Sequence, residues 1–186
     1  MKKSAGTLKR GNFIKLSGEV LQVLRTQRNF RVRGSANIKV RIRNVSSGAV
    51  QDKNFKADNS VELIDVETRP LQFLYKDTQT LHFMDSVSFE QYHVSAQIAG
   101  SFVKFLKEGE KIHIALHENK PLSIIPPKSV KLKVTQAHTA AKGDTATGAK
   151  KTVVVETGAR VKVPLFIKKD ETIVINPETG EYVERA

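Results

Sequence analysis

Alternation of apolar and polar residues is the strongest pattern in this chain of 186 residues. It is clearest in residues 38–43, where Ile38, Val40 and Ile42 fall on one face and three bases fall on the other. A period of two predicts a half-buried β-strand with a cationic outer face. Short apolar runs recur along the chain, separated by turn residues such as Ser17-Gly18. The pattern therefore predicts an all-β protein built from small barrels.

One stretch, residues 25–43, is strongly basic, and no acid occurs from Val20 to Gln51. Small and turn-forming residues at 34–37 divide it into two arms, which predicts a long β-hairpin with Arg33 at or near its tip. Bases on an edge strand can simply block aggregation between sheets. Like charges would, however, face each other across this hairpin and repel, so we favour a polyanionic partner that neutralises them. The seven bases are Arg25, Arg28, Arg31, Arg33, Lys39, Arg41 and Arg43.

Charge and proline divide the chain into three parts. Residues 1–64 contain 14 Lys and Arg and 4 Asp and Glu, residues 65–127 contain 6 and 8, and residues 128–186 contain 11 and 7, so the net charges are +10, −2 and +4. Pro126-Pro127 would end a strand and stiffen the second boundary. We expect three small domains with these limits, in an extended molecule that contacts nucleic acid at its two ends.

The sequence lacks the residues that several kinds of chemistry require. The chain has no cysteine, which excludes disulfides, thiolate metal sites and a cysteine nucleophile and fits a reducing compartment. No apolar run approaches the roughly 20 residues of a membrane span, and the first residues lack the apolar region of a secretory signal. His113 and His117 would lie about 13 Å apart on the strand predicted at 112–116, which argues against a metal site. Nucleotide-binding and nucleophile motifs are also missing, so we predict a soluble, cytoplasmic protein that is not an enzyme and needs no metal or cofactor.

A weak internal repeat has an offset of 61 residues. The two matching sets are Lys107, Glu110, Ile112 and Ile114, and Lys168, Glu171, Ile173 and Ile175. In both sets a turn leads into an alternating strand. Two copies of one small β-barrel would explain the repeat.

Many short segments together resemble the bacterial translation elongation factor P family along the whole chain. The most specific is the signature region at 151–170, where the residues that fit the family pattern are Lys151, Gly158, Val161, Val163, Pro164 and Ile167. Val153 and Asp170 depart from the alanine and glycine that are usual in the family. The Pro-Pro boundary matches too, and the other matching segments, in the family's order, are 54–62, 66–75, 83–85, 142–145 and 179–186.

The resemblance implies an L-shaped molecule in which a KOW-like, SH3-type barrel is followed by two OB-fold barrels. In this family the hairpin of the first domain reaches the peptidyl-transferase centre and contacts the CCA end of P-site tRNA. Counting back from Asn44 places Arg33 at the tip and Gly34 at the glycine that follows it, whereas Val32 replaces the usual preceding glycine. Because the tip is arginine, modification of a lysine there is excluded. Glycosylation by an arginine-modifying enzyme and an unmodified tip both stay open.

The resemblance also assigns partners and further contacts. The factor would bind both ribosomal subunits between the P and E sites, and as a monomer would hold P-site tRNA at stalling sequences such as consecutive prolines. Residues 142–145 match a loop that approaches the E-site codon region, although a turn that only closes the loop is the alternative. The predicted RNA-binding residues are Arg31, Gly34, Lys39, Arg41, Arg43, Gly143, Asp144, Thr145, Tyr182 and Arg185, with Arg33 as the functional tip.

Three other functions are compatible with the sequence: an arginine-tipped paralogue of the same family, a general OB-fold RNA-binding protein, and an adaptor whose hairpin binds an acidic protein. General RNA-binding modules of this kind stack bases on exposed aromatic rings. This chain has no Trp, and its Phe residues lie mostly in apolar strand patterns. Ribosome binding that requires P-site tRNA would favour the translation factor.

Overall fold

The computed structural model describes residues 1–29, 37–137 and 150–186, which form sixteen strands in three antiparallel sheets. We call the parts of the chain that carry these sheets the first, second and third domains. Helical structure in the described ranges is confined to α1 (Ala96–Ala99) and two 3₁₀ turns, Ala5–Thr7 and Gly100–Phe105. None of these helices is long and apolar enough to cross a membrane. The prediction of an all-β chain of three small barrels is confirmed.

The first sheet has the strand order β1-β6-β2-β3-β4-β5. Its strands are β1 (Lys2–Ser4), β2 (Phe13–Leu16), β3 (Glu19–Asn29), β4 (Asn37–Asn44), β5 (Val50–Lys56) and β6 (Ser60–Ile64). Ser17 and Gly18 have positive φ angles of 51° and 84°, which suit the two-residue turn between β2 and β3. In β4, Ile38, Val40 and Ile42 are buried and the bases between them are exposed, as their alternation predicts.

The second sheet has the order β11-β10-β7-β8-β9. Its strands are β7 (Glu67–Lys76), β8 (Thr80–Met84), β9 (Gln91–Ser95), β10 (Lys111–His117) and β11 (Lys120–Ile125). Pro70 lies inside β7, where β7 pairs with β10 alone, because pairing with β8 begins only at Gln72. At this point the strand has one neighbour, so the missing amide hydrogen of proline is tolerated.

The third sheet repeats this topology as β16-β15-β12-β13-β14. Its strands are β12 (Val130–Ala137), β13 (Lys150–Val155), β14 (Arg160–Pro164), β15 (Thr172–Asn176) and β16 (Glu181–Arg185). In each of these two sheets the third and fifth strands in chain order approach each other, which closes the barrel. The internal repeat seen in the sequence is therefore a repeat of the fold.

Equivalent backbone hydrogen bonds also occur in the two barrels, again 61 residues apart. Phe73 N donates to Glu110 O at 2.8 Å, and Val134 N donates to Glu171 O at 2.8 Å. The pairing register of β7 shifts after Phe73 and that of β12 shifts after Val134, so both first strands carry a bulge at the same place. A bulge bends a strand and raises its twist, which helps a short sheet to curl into a barrel.

Apolar side chains join the three domains into one body. A small buried cluster between the first and second domains contains Phe13, Val45, Ala115 and Leu122. The buried residues of the second and third domains form a single continuous cluster. Both junctions therefore use the hydrophobic effect as well as polar contacts.

The turn between β10 and β11 is formed by Glu118 and Asn119, which have positive φ angles of 49° and 60°. Lys120 and Pro121 already pair with β10. Proline is tolerated at this position because β11 is the last strand in the order of its sheet.

Candidate nucleic-acid interface

The predicted hairpin exists as the long pair β3 and β4. The two strands are paired from Leu21 and Asn44 to Asn29 and Asn37. The residues that connect them, 30–36, lie outside the described part of the chain, and so do the predicted contacts Arg31, Arg33 and Gly34. The assignment of Arg33 to the tip therefore stays a prediction.

Two arginines face each other on the hairpin. Arg25 of β3 is the direct cross-strand partner of Arg41 of β4. Within the described ranges, no carboxylate lies at ion-pair distance from either guanidinium, because Asp52 binds Lys39 at 3.0 Å instead. Like charges placed opposite each other destabilise a sheet. This surface therefore carries a charge repulsion that an anionic partner would relieve.

The predicted base Arg43 has a second role in the structure. It is half-buried, and its Nη1 donates a hydrogen bond to the carbonyl oxygen of Ile98 in the second domain at 3.3 Å. The sequence could not show this contact, because it depends on how the two domains meet. A phosphate contact by Arg43 stays a prediction, while Lys39 and Arg41 are exposed and accessible to a ligand.

The basic face of the hairpin continues into a cleft where the three domains meet. The cleft has a volume of about 920 Å³. Its cationic side chains are Arg10, Arg25, Arg41, Arg43 and Lys128. Glu178 also lines it and binds Arg10, which ties the first domain to the third. Sequence reasoning overlooked Arg10 and Lys128 as possible RNA ligands, because neither belongs to the basic stretch.

The other predicted contacts lie at the C-terminal end. Tyr182 is half-buried against the shared core, and Arg185 is exposed with its Nη1 3.6 Å from Glu171 Oε1. Both belong to the edge strand β16. Gly143, Asp144 and Thr145 lie outside the described residues. The structure thus places Tyr182 and Arg185 on one strand, and their contact with the tRNA stem stays a prediction.

The four histidines of the described ranges lie on strands β8, β9 and β10, and no three His, Asp or Glu side chains in these ranges are placed to hold a metal ion. His82 Nε2 lies 2.7 Å from Asp77 Oδ2, and this hydrogen bond is the main reason why the pKa of Asp77 is lowered. Tyr75 is half exposed and stacks on His82 with ring centres 4.4 Å apart. Sequence reasoning missed this stacked pair, since both residues belong to ordinary strand patterns.

Three family models match successive parts of the chain. The Elongation factor P (EF-P) KOW-like domain matches residues 4–61, the Elongation factor P (EF-P) OB domain matches residues 66–124, and Elongation factor P, C-terminal matches residues 130–185. The predicted order of a KOW-like barrel followed by OB-type barrels is confirmed.

Known relatives match over nearly the whole length. Elongation factor P of Thermosipho africanus is 35% identical over 181 residues, which are 97% of this chain and 98% of that protein. Elongation factor P of Acetivibrio thermocellus is 38% identical over 182 residues, 98% of each chain. Among solved structures, eukaryotic translation initiation factor 5A from Methanococcus jannaschii aligns with a TM-score of 0.50 and 16% identity, covering 67% of this chain and 94% of that chain. The match to this solved structure shows similarity of fold alone.

Proposed function

The chain belongs to the elongation factor P family of translation factors, and from this premise we propose that it binds the ribosome between the P and E sites. There it promotes peptide-bond formation at stalling sequences such as consecutive prolines by positioning P-site peptidyl-tRNA. Its partners in this proposal are both ribosomal subunits and the tRNA, and it acts as a monomer. We take 1–64, 65–127 and 128–186 as the domain limits within the same proposal.

The long hairpin is the observation that carries this proposal. Its strands stay paired as far as Asn29 and Asn37, and its outer face presents the guanidinium groups of Arg25 and Arg41, which no carboxylate of the described residues approaches to ion-pair distance. Such groups bind phosphates, which fix position and orientation without reading sequence. A factor that immobilises the CCA end would recover orientation entropy that a poor nucleophile such as proline cannot supply.

Arg33 is the proposed point of action. A guanidinium keeps its charge and offers five donors in a planar fork, so it can hold RNA groups in a partly dehydrated cavity. Arg31, Gly34, Lys39, Arg41 and Arg43 would support it along the hairpin. The second proposed contact is the loop with Gly143, Asp144 and Thr145, and Tyr182 and Arg185 would touch the tRNA stem. An enzyme that modifies Arg33 is a further proposed partner.

The test is the rate of peptide-bond formation at consecutive prolines with saturating factor. Arg33→Ala should lose the stimulation, while its unfolding free energy should change by less than about 0.5 kcal/mol, as is usual for surface changes. Arg160→Ala serves as the matched control, since Arg160 is an exposed arginine of the third domain outside the predicted contacts. Equal rates for wild type and Arg33→Ala would contradict the proposal.

A second candidate, a general RNA-binding protein, is favoured by the exposed ring of Tyr75 on the second barrel. Exposed rings of OB-folds stack on unpaired bases. Sedimentation with ribosomes distinguishes the two candidate functions. The translation factor should require P-site tRNA for binding and should respond to salt, with a slope of log K against log salt near −3 to −4 if about four phosphates are contacted.

A further inference from the structure

The hairpin between β8 and β9, residues 84–91, exposes two large apolar side chains at its turn. Val87 is 87% exposed and Phe89 is 70% exposed. We call this segment the apolar-tipped hairpin. Large side chains that remain this exposed on neighbouring residues are typical of a surface that another molecule covers.

Hydrogen bonds from the backbone amides of both residues form a turn whose backbone is strained. Asp85 Oδ1 accepts a hydrogen bond from Val87 N at 2.8 Å, and Asp85 O accepts one from Phe89 N at 2.9 Å. Phe89 nevertheless has a φ of 60°, a left-handed conformation that a bulky residue rarely adopts. Ser86 Oγ is buried without a hydrogen-bond partner among the described residues. Backbone strain and an unpartnered buried hydroxyl both cost stability, and such features often occur at binding sites.

The corresponding hairpin of the third domain is an interface. There Thr157 Oγ1 donates to Lys104 O of the second domain at 2.7 Å, and Glu156 Oε2 lies 2.9 Å from Lys107 Nζ. The equivalent connection between strands is longer in the second domain. Eight residues separate the paired Phe83 and Tyr92, whereas three separate Val155 from Ala159, its hydrogen-bond partner. The repeated fold therefore uses this position for docking in one copy and presents a longer, apolar version of it in the other.

Charge indicates the kind of partner. The apolar-tipped hairpin contains Asp85 and Glu90 and no base, in a second domain with a net charge of −2. RNA phosphates would be repelled by these carboxylates, whereas a basic protein would be attracted. We propose that this hairpin inserts Val87 and Phe89 into an apolar pocket of a basic protein on the ribosome. This inference rests on the proposed function, because it takes the ribosome as the binding partner.

The first test measures ribosome affinity of the double variant Val87→Ser and Phe89→Asn. Neither residue is buried, and Asn tolerates left-handed φ, so the fold should be kept. Affinity should fall by about tenfold, since two apolar contacts are lost, while the salt slope stays unchanged because no charge is removed. Val50→Ser is the matched control for an exposed valine. Wild-type affinity of the double variant would overturn the inference.

The second test uses the sign of a charge effect. Glu90→Gln keeps an acceptor for the hydroxyl of Tyr92, which Glu90 Oε2 binds at 2.8 Å, and removes one negative charge. If a basic protein faces the hairpin, the Glu90→Gln variant should bind the ribosome more weakly. If RNA faces the hairpin, the affinity should rise, and this result would overturn the inference.

The third test identifies the contact directly with a photo-crosslinking amino acid at position 87, using purified ribosomes with P-site tRNA. The expected adduct survives ribonuclease and is lost on proteolysis of the ribosomal component. A crosslink to RNA alone, or the absence of any crosslink, would overturn the inference. The proposed function would stay intact in that case as long as the wild-type protein binds ribosomes. Wild-type protein that does not bind ribosomes would overturn both.

Discussion

The second and third domains share one fold and differ in their connections. Equivalent positions pair in the same register, as Leu71 with Ile112 and Leu132 with Ile173. The segments between their first and second strands differ in length: four residues separate Lys76 from Leu81, whereas fifteen separate Ala137 from Val153, the equivalent pairs. The comparison shows that pairing and core packing preserve the barrel while the connections differ in length, and connections on a rigid scaffold commonly carry binding residues.

The largest expected effect comes from making the third domain resemble the second. Replacing residues 138–152 by the four residues Asp77–Thr80 should leave two folded barrels, because the flanking strand pairs are equivalent. Stimulation of peptide-bond formation at consecutive prolines should nevertheless fall toward the rate without factor, since the proposed contacts Asp144 and Thr145 are removed. Circular dichroism checks the fold. Asp144→Ala with Thr145→Ala keeps the loop length and should give the same loss; full activity of both variants would contradict the proposed contact.

The next effect tests whether the two cores are equivalent. Leu71 and Leu132 are both 0% exposed and hold the same place in their barrels. Leu71→Ala and Leu132→Ala should each lower the unfolding free energy by about 3 kcal/mol, from lost burial and a residual cavity. Urea denaturation measures both. A large loss in one domain with almost none in the other would show that the common register hides different packing.

A smaller effect is expected at one equivalent pair of backbone positions. Gly109 and Asp170 have φ angles of 84° and 68°, and their amides donate to equivalent carbonyls, those of Phe73 and Val134. A side chain on Gly109 would meet only Gln72 Nε2 at 3.9 Å, so crowding is small. Gly109→Ala should therefore cost about 1 kcal/mol through backbone strain alone.

The reverse change at the second position checks this reason. Asp170→Gly relieves the strain but loses the ion pair with Lys133 at 2.9 Å, so the melting temperature should change little. Thermal unfolding of both variants is the measurement. If Gly109→Ala is as stable as wild type, conformational strain at this turn does not matter.

The smallest effect concerns the interface between the two barrels. The pKa of Glu156 is lowered, first by a hydrogen bond from the backbone of Lys133 and further by Lys107. A lowered pKa contributes stability above the ordinary value of 4.5 and loses it as the pH falls through the folded pKa. Glu156→Gln should cost about 0.5 kcal/mol at pH 7, because solvent screens the charge, and the difference should shrink below pH 4.5. A difference that is independent of pH in urea denaturation would exclude this ionic origin.

Much of the fold could be predicted from the sequence because it depends on local alternation. Ile38, Val40 and Ile42 indicated the inner face of β4, and the repeat around Ile112 and Ile173 indicated two equal barrels. Bulges were not predicted, since the extra residue after Phe73 changes the register without changing composition.

The site was less predictable, because its arrangement depends on contacts between distant residues. The basic stretch predicted the hairpin, but the bond from Arg43 to Ile98 and the pair of Arg10 with Glu178 follow only from domain packing. The exposure of Phe89 was not predicted, because it depends on how the turn between β8 and β9 is formed. The assignment of Arg33 to the tip stays a prediction.

The pairing of β1 with β6 has a consequence for synthesis of the chain. Lys3 pairs with Val61, so the first barrel cannot close until residue 61 has emerged from the ribosome. Each sheet contains strands from one third of the chain only, and domains generally fold in order from the N-terminus as they emerge. The hydroxyl of Thr157 binds the carbonyl of Lys104, so the last barrel finds its acceptor in a domain that has already folded. We expect three successive folding steps during synthesis, each providing the docking surface for the next.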